Sequence, residues 1–82
     1  MKALNIVFED ACNTSETGFF RIEDRKIIEE YCDFYDDVWS NGYDEEIYIE
    51  ECDDIPAEKI IAFNSENVFD YDGFMEYLKN NS

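Results

Sequence analysis

The sequence contains no histidine and few cations: 6 Lys and Arg stand against 22 Asp and Glu, which gives a net charge of −16 at pH 7. Without an imidazole, no serine or cysteine has the base that usually activates a nucleophile. A pair of carboxylates could act as acid and base, but so many acids produce such pairs by chance. The shortage of cations also disfavours direct binding to nucleic acid or to anionic membranes. We therefore expect no enzyme, no direct nucleic-acid ligand and no membrane partner.

Cysteine is scarce too, and its spacing does not indicate a cross-linked or metal-bound fold. Cys12, Cys32 and Cys52 are odd in number, widely spaced and without a CxxC motif, so we expect free, reduced thiols. Residues 70–73 (Asp-Tyr-Asp-Gly) resemble the opening of a calcium loop, but the twelfth position is Asn81, where such a loop needs Glu. We expect no metal ion and no other cofactor.

The chain also lacks a long apolar run, since no stretch approaches the ~20 residues that cross a membrane. Its first ten residues carry one cation and end on two acids, which does not fit a signal peptide. We therefore expect a cytoplasmic protein, and 82 residues predict one domain, 1–82. A hydrophobic content of 45% and an aromatic content of 17% argue against disorder. We expect a stability of about 5 kcal/mol, rising with salt as the acids are screened from one another.

The first half of the chain predicts a hairpin followed by a helix. Residues 3–8 alternate as a strand does, and residues 10–18 are small and polar, which is typical of a loop. Residues 18–22 form a second strand that pairs with the first, or lead directly into the helix. From Asp24, a candidate N-cap, apolar residues recur at steps of three and four as far as Trp39. Residues 40–42 (Ser-Asn-Gly) are expected to end this helix.

The second half predicts another hairpin and another helix. Residues 43–51 alternate, with Ile47 and Ile49 on the inner side, and we expect them to pair with an interior strand at residues 58–63. The second helix is predicted to begin mainly with Asp72 as its N-cap, because Gly73 inside a helix costs about 1 kcal/mol; the alternative is one extra turn before Asp72. Together these elements predict an α+β fold: a small, mainly antiparallel sheet of three to four strands, with two helices packed on one face.

The most unusual stretch is residues 29–54, which hold twelve of the 22 acids and no Lys, Arg or His. Large aromatic residues lie between these acids. Like charges at helical steps of three and four destabilise a helix by a few tenths of a kcal/mol each, and Asp36 and Asp37 oppose the helix dipole. Helix formation therefore does not explain them. We interpret the stretch as a negative surface that meets a positive partner; the alternative is a solvated surface kept acidic for solubility or for life in high salt.

The spacing of these acids fits a particular kind of positive partner. Carboxylates two apart on a strand repeat every ~6.6–6.8 Å, and those four apart on a helix rise by about 6 Å. Successive DNA phosphates lie roughly 6–7 Å apart through space, since they advance about 3.4 Å along the axis. Lys and Arg that bind phosphates would therefore also bind such an array. The residues predicted to contact the partner are Asp33, Asp36, Asp37, Glu46, Tyr48, Glu50, Glu51, Asp53 and Asp54.

In size, charge and aromatic-acidic composition the chain resembles the small phage-encoded DNA mimics, including anti-restriction and anti-CRISPR inhibitors. The resemblance covers the whole chain and rests on composition and spacing. It implies a non-enzymatic inhibitor that occupies the Lys/Arg-rich nucleic-acid-binding surface of a bacterial defence nuclease or CRISPR effector. Separately, aromatic residues around Trp39 and Tyr43 would permit self-association if exposed, so we expect a monomer or weak homodimer. The same charge pattern fits an antitoxin or immunity protein that caps a basic toxin nuclease, and genomic neighbourhood would distinguish the two.

Overall fold

The computed structural model describes residues 1–39 and 46–81. The elements are β1 (Ala3–Glu9), β2 (Thr14–Phe20), α1 (Arg25–Val38), β3 (Glu46–Cys52), β4 (Ile60–Ile61) and α2 (Tyr71–Asn80), with short 3-10 turns at Ile22–Asp24 and Ala57–Lys59. The strands form one sheet in the order β3-β1-β2-β4. The predicted α+β fold, with a mostly antiparallel sheet and two helices, is confirmed.

Strands β1 and β2 form the predicted antiparallel hairpin, but β2 begins earlier than expected. Residues 14–17 were predicted to be loop and are strand, because the turn is short. The Asp10 carboxylate closes that turn by accepting hydrogen bonds from the backbone N–H groups of Cys12 and Asn13, at 2.8 and 2.6 Å. The Thr17 hydroxyl donates to the Ile6 carbonyl at 3.2 Å. A register shift follows between Asn5 and Val7, near Gly18, whose φ of 121° suits glycine.

The predicted hairpin between residues 43–51 and 58–63 is wrong. Strand β3 pairs antiparallel with β1, whereas β4 lies at the opposite edge, parallel to β2. Residues 53–59 cross the end of the sheet, where the Ile55 N–H donates to the Met1 carbonyl at 2.9 Å. The expectation of an interior strand at residues 58–63 is also wrong: β4 is two residues long, lies at an edge of the sheet and leaves Ile61 37% exposed. Apolar residues on both sides of a segment therefore did not indicate an interior position. Residues 43–45 of the predicted strand lie outside the described residues.

The core lies between the helices and the face of the sheet that carries Leu4 and Ile6. Its centre is Tyr31 of α1, 1% exposed, whose ring centroid lies 5.4 Å from those of Phe63 and Phe74. The Tyr31 hydroxyl donates to the Phe69 carbonyl at 2.9 Å, so this buried polar group is satisfied. The aromatic cluster therefore joins α1, α2 and the segment between β4 and α2.

Asp24 precedes α1 as predicted, but its side chain does not cap the helix. Its carboxylate instead accepts hydrogen bonds from the Arg21 guanidinium, at 3.0 and 3.1 Å, and from the backbone N–H of Phe63 at 3.1 Å. Asp24 thus links the start of α1 to the chain that follows β4. The predicted helix end at residues 40–42 lies outside the described residues, and α1 itself ends at Val38.

Replacing Asp24 by alanine should therefore destabilise the protein in a pH-dependent way. Burial opposes ionisation of Asp24, but the hydrogen bonds from Arg21 and Phe63 outweigh it and lower the pKa of this carboxyl. Because the pKa of Asp24 is lower in the folded state than in the unfolded state, where it is about 3.9, ionised Asp24 stabilises the folded protein at pH values above 3.9. This stabilisation is lost as the pH falls through the lowered, folded-state pKa. Loss of the acceptor also leaves the buried Phe63 N–H unpaired, which costs about 1–3 kcal/mol.

The measurement is urea unfolding of wild type and Asp24→Ala at pH 7 and pH 2.5. The difference in unfolding free energy is expected to shrink at the lower pH. Asp53→Ala, at an exposed position in the turn after β3, serves as the matched control with little effect at either pH. An Asp24 effect equally large at both pH values would show that its ionised form is not responsible.

Helix α2 begins at Tyr71, one residue before the predicted start, and Asp72 lies in its first turn. Asp70 precedes it in the left-handed conformation, with φ of 52°. The Asp70 carboxylate accepts a hydrogen bond from Trp39 Nε1 at 3.2 Å. A Cβ at Gly73 would lie 2.5 Å from Asp70 Oδ1, so this glycine makes room for the carboxylate that joins the two helices.

We accordingly expect Gly73→Ala to destabilise the protein, although alanine is the better helix former by about 1 kcal/mol. The Asp70 carboxylate must turn away from the new Cβ and give up its hydrogen bond from Trp39, which should offset that gain and leave a net loss of less than about 1 kcal/mol. In an Asp70→Gly background the clash is absent, and the same substitution should stabilise by up to about 1 kcal/mol. Urea unfolding of the four proteins measures this coupling. If Gly73→Ala stabilises the wild-type protein, the close approach has been misjudged.

Candidate partner-binding surface

The face of the sheet that points away from the helices carries three of the nine predicted contact residues. Side chains alternate along β3, so Ile47 and Ile49 pack against the core as predicted, while Glu46, Tyr48 and Glu50 point to the other side. Cross-strand partners extend this side over β1 and β2. We call it the outer face, and it consists of Ala3, Asn5, Val7, Glu9, Thr14, Glu16, Phe19, Glu46, Tyr48, Glu50 and Cys52.

The register places the outer-face glutamates on a regular grid. Glu9 lies directly opposite Glu46, Val7 lies between Tyr48 and Glu16, and Asn5 lies between Glu50 and Phe19. Neighbouring strands are about 4.8 Å apart, and alternate residues along a strand about 6.7 Å apart. The four glutamates therefore share an area of roughly 10 × 13 Å.

No cation neutralises these four carboxylates within the described residues. The ion pairs found there join Arg21 to Glu23 and Asp24, and Arg25 to Glu29 and Glu51. All of these acids lie off the outer face. The outer face therefore has no compensating positive charge among the described residues.

Two outer-face side chains show the effect of this charge on their own ionisation. The Tyr48 hydroxyl donates to Glu9 at 3.1 Å. That hydrogen bond, then burial and the charges of Glu9, Glu50 and Glu46, raise the pKa of Tyr48. The pKa of the Cys52 thiol is raised by burial and by Glu50, Glu16 and Asp53. The neighbouring carboxylates thus raise the pKa of Tyr48 chiefly through a hydrogen bond, and they add to the effect of burial on the pKa of Cys52.

The nine predicted contact residues do not share one surface. Glu46, Tyr48 and Glu50 lie on the outer face, whereas α1 packs on the other side of the sheet. The helix acids Asp33, Asp36 and Asp37 are exposed on α1, and the turn acids Asp53 and Asp54 follow the end of β3. Glu51 points toward the helices and forms an ion pair with Arg25. The expectation that Glu46, Glu50 and the helix acids form one continuous array is therefore not met.

Among the predicted contact residues that the structure describes, phosphate-like spacing is found on the helix. Asp33 and Asp37 are one turn apart, about 6 Å in axial rise, and Asp37 accepts a hydrogen bond from the Tyr77 hydroxyl at 3.1 Å. On β3, the side chain between Glu46 and Glu50 is Tyr48, so those carboxylates are about 13 Å apart along the strand. The outer face thus presents a coarser array than expected, mixed with an aromatic ring that is 40% exposed.

Three polar outer-face residues that matter for binding, Glu9, Glu16 and Asn5, were missed because they lie outside residues 29–54. Glu16 falls in the segment predicted to be loop, and Glu9 follows directly on the first predicted strand. Asn5 is 2% exposed, and its Oδ1 has no hydrogen-bond partner among the residues described. A lone asparagine at the centre of an apolar strand was the available sequence signal for this position.

The described residues contain no cluster suited to a metal ion, and their cysteines are not cross-linked. Over residues 1–39 and 46–81, no group of three or more His, Cys, Asp or Glu side chains could hold a metal ion. The three cysteines are free thiols. Burial, then the charges of Asp33, Asp36 and Glu29, raise the pKa of Cys32 to about 12, so its nucleophilic thiolate is scarce at neutral pH.

No known protein family matches this chain, and no curated protein or solved structure shows significant similarity to it. Neither of the two helices described is long and apolar enough to cross a membrane. The fold and the surface define a small, highly acidic α+β protein whose sheet has one face packed on helices and one face lined with glutamates.

Proposed function

We propose that this protein is a non-enzymatic inhibitor that acts as a DNA mimic. It occupies the Lys/Arg-rich nucleic-acid-binding surface of a bacterial defence nuclease or CRISPR effector and so excludes DNA. It is phage-encoded, acts in the cytoplasm of the bacterial host, and is a monomer or weak homodimer. The observation that carries the proposal is the outer face, where Glu9, Glu16, Glu46 and Glu50 have no cationic partner in the described part of the chain.

The arrangement on the outer face is unfavourable for the fold itself, which supports a binding role. Glu9 and Glu46 are direct cross-strand neighbours, and like charges in such positions destabilise a sheet. A surface that served only solubility would mix both signs. A cationic partner would convert this repulsion into attraction and would be steered to the face at a high, salt-sensitive rate.

The second acidic surface, on α1, favours a partner that encloses its ligand. The outer face and the exposed side of α1 lie on opposite sides of the sheet, and the Cα atoms of the molecule span 36 × 32 × 18 Å. A groove that contacts one side of a ligand would use one surface. A channel that surrounds DNA would meet both, since duplex DNA also presents phosphates around its circumference.

The test begins with capture of the partner from a bacterial lysate at low salt, followed by purification of both proteins. Labelled duplex DNA is then bound to the partner at increasing inhibitor concentrations. Competition predicts that the apparent Kd for DNA rises in proportion to inhibitor and that excess DNA restores binding. Unchanged DNA affinity at saturating inhibitor would disprove mimicry. Capture of a toxin nuclease encoded beside the gene would assign the same contacts to an immunity protein.

A further inference from the structure

Asn5 occupies a position where its amide is a disadvantage to the fold. It lies in the middle of β1 and is 2% exposed, and its Oδ1 accepts no hydrogen bond from any residue in the described ranges. A buried acceptor without a donor is unfavourable. A β-branched residue such as valine, the residue at position 7, would suit a central strand better. Asn5 is therefore unexplained by packing alone.

The surroundings of Asn5 place its side chain within the acidic outer face. Its direct cross-strand neighbours are Glu50 on β3 and Phe19 on β2. Two residues further along β1, Val7 lies between Tyr48 on β3 and Glu16 on β2. Glu50 is exposed and Phe19 half-buried. These side chains border solvent, so a change of rotamer at Glu50 or Phe19 can open a path to Asn5 without moving the backbone.

The chemistry around Asn5 selects one kind of ligand group. Its Oδ1 needs a donor, Glu50 and Glu16 favour a cation, and Phe19 and Tyr48 favour a planar group. A guanidinium has five N–H donors and no acceptor, stacks on aromatic rings and is weakly hydrated. The ammonium of lysine is compact and strongly hydrated, so its transfer out of water costs more hydration free energy. Arginine therefore fits this site better than lysine.

Building on the function proposed above, we propose that the outer face takes up an arginine side chain of its partner, whose guanidinium donates to Asn5 Oδ1 between Glu50 and Phe19. Glu50 and Glu16 supply the opposing charge, and Phe19 and Tyr48 flank the guanidinium plane. Asn5 thus gives the acidic surface a preference for arginine that charge alone does not provide.

Two peptides of equal charge, hexa-arginine and hexa-lysine, test this preference in isotope-labelled full-length protein by NMR titration. Wild type is expected to bind hexa-arginine about tenfold more tightly, the effect of one hydrogen bond to a charged group. Only hexa-arginine should shift the side-chain amide resonances of Asn5. In Asn5→Val, affinity for hexa-arginine should fall to that for hexa-lysine, which stays unchanged. The control Asn80→Ala, at an exposed position on α2, should keep the preference.

Equal affinity of wild type for the two peptides would overturn the proposal, and so would an arginine preference that is undiminished in Asn5→Val. Asn5→Val should melt at the same temperature as wild type or higher, because it removes an unpartnered acceptor. If that variant does not fold, the Asn5 resonances of the wild-type protein decide the question. If the protein prefers arginine but does not displace DNA from its captured partner, the inhibitor function is disproved and the arginine site is supported. Displacement of DNA without the preference would disprove only the arginine site.

Discussion

Reversing Glu16, Glu46 and Glu50 to lysine is expected to slow association with the proposed basic partner by about 100-fold at low salt. These three carboxylates lie on the outer face without cationic partners among the described residues. Lysines there would replace attraction by repulsion at the contact itself. Stopped-flow association rates at several salt concentrations measure the effect, and the difference from wild type should narrow as salt rises.

The matched control reverses Asp33, Asp36 and Asp37, which changes the net charge by the same amount on the other side of the sheet. If α1 adds only long-range steering, the helix variant should slow association by about tenfold or less. Near-equal losses that persist as salt rises would mean that the partner contacts both surfaces, whereas near-equal losses that vanish as salt rises would mean that binding follows net charge. A larger loss of association rate in the helix variant would show that α1, and not the outer face, makes the primary contact. Far-UV circular dichroism confirms that both variants are folded.

Replacing Phe74 by alanine should remove most of the stability of the protein. Phe74 is fully buried, and its ring centroid lies 5.4 Å from that of Tyr31 and 5.5 Å from that of Phe34. Truncating a buried phenylalanine costs about 3–5 kcal/mol, and the expected total for a domain of this size is about 5 kcal/mol. The substitution also separates α2 from α1, because this ring is central to their contact.

Urea unfolding followed by circular dichroism provides the measurement, with Met75→Ala as the control. Met75 is the next residue on α2 and is 40% exposed, and alanine is a better helix former, so its effect should stay within about 0.5 kcal/mol. A loss below about 1 kcal/mol for Phe74→Ala would mean that the aromatic cluster does not hold α2 in place.

Local patterns in the sequence predicted the elements that depend on local rules. The alternation at residues 3–8 and the steps of three and four after Asp24 predicted β1 and α1, because side-chain direction follows directly from strand and helix geometry. The orientation of Ile47 and Ile49 followed in the same way. The reason for a glycine at position 73 could not be predicted from local patterns. Gly73 leaves space for the Asp70 carboxylate, which folds back over the start of α2.

Composition and charge, by contrast, left the arrangement of the acids undetermined. The sequence alone established a folded, strongly negative α+β chain, because charge and hydrophobic content belong to the residues themselves. Only the tertiary structure showed that β3 pairs with β1, which brings Glu9 beside Glu46 and separates both from the acids of α1. Strand partners are chosen by contacts between residues distant along the chain, and a one-dimensional pattern does not specify which strand lies beside which.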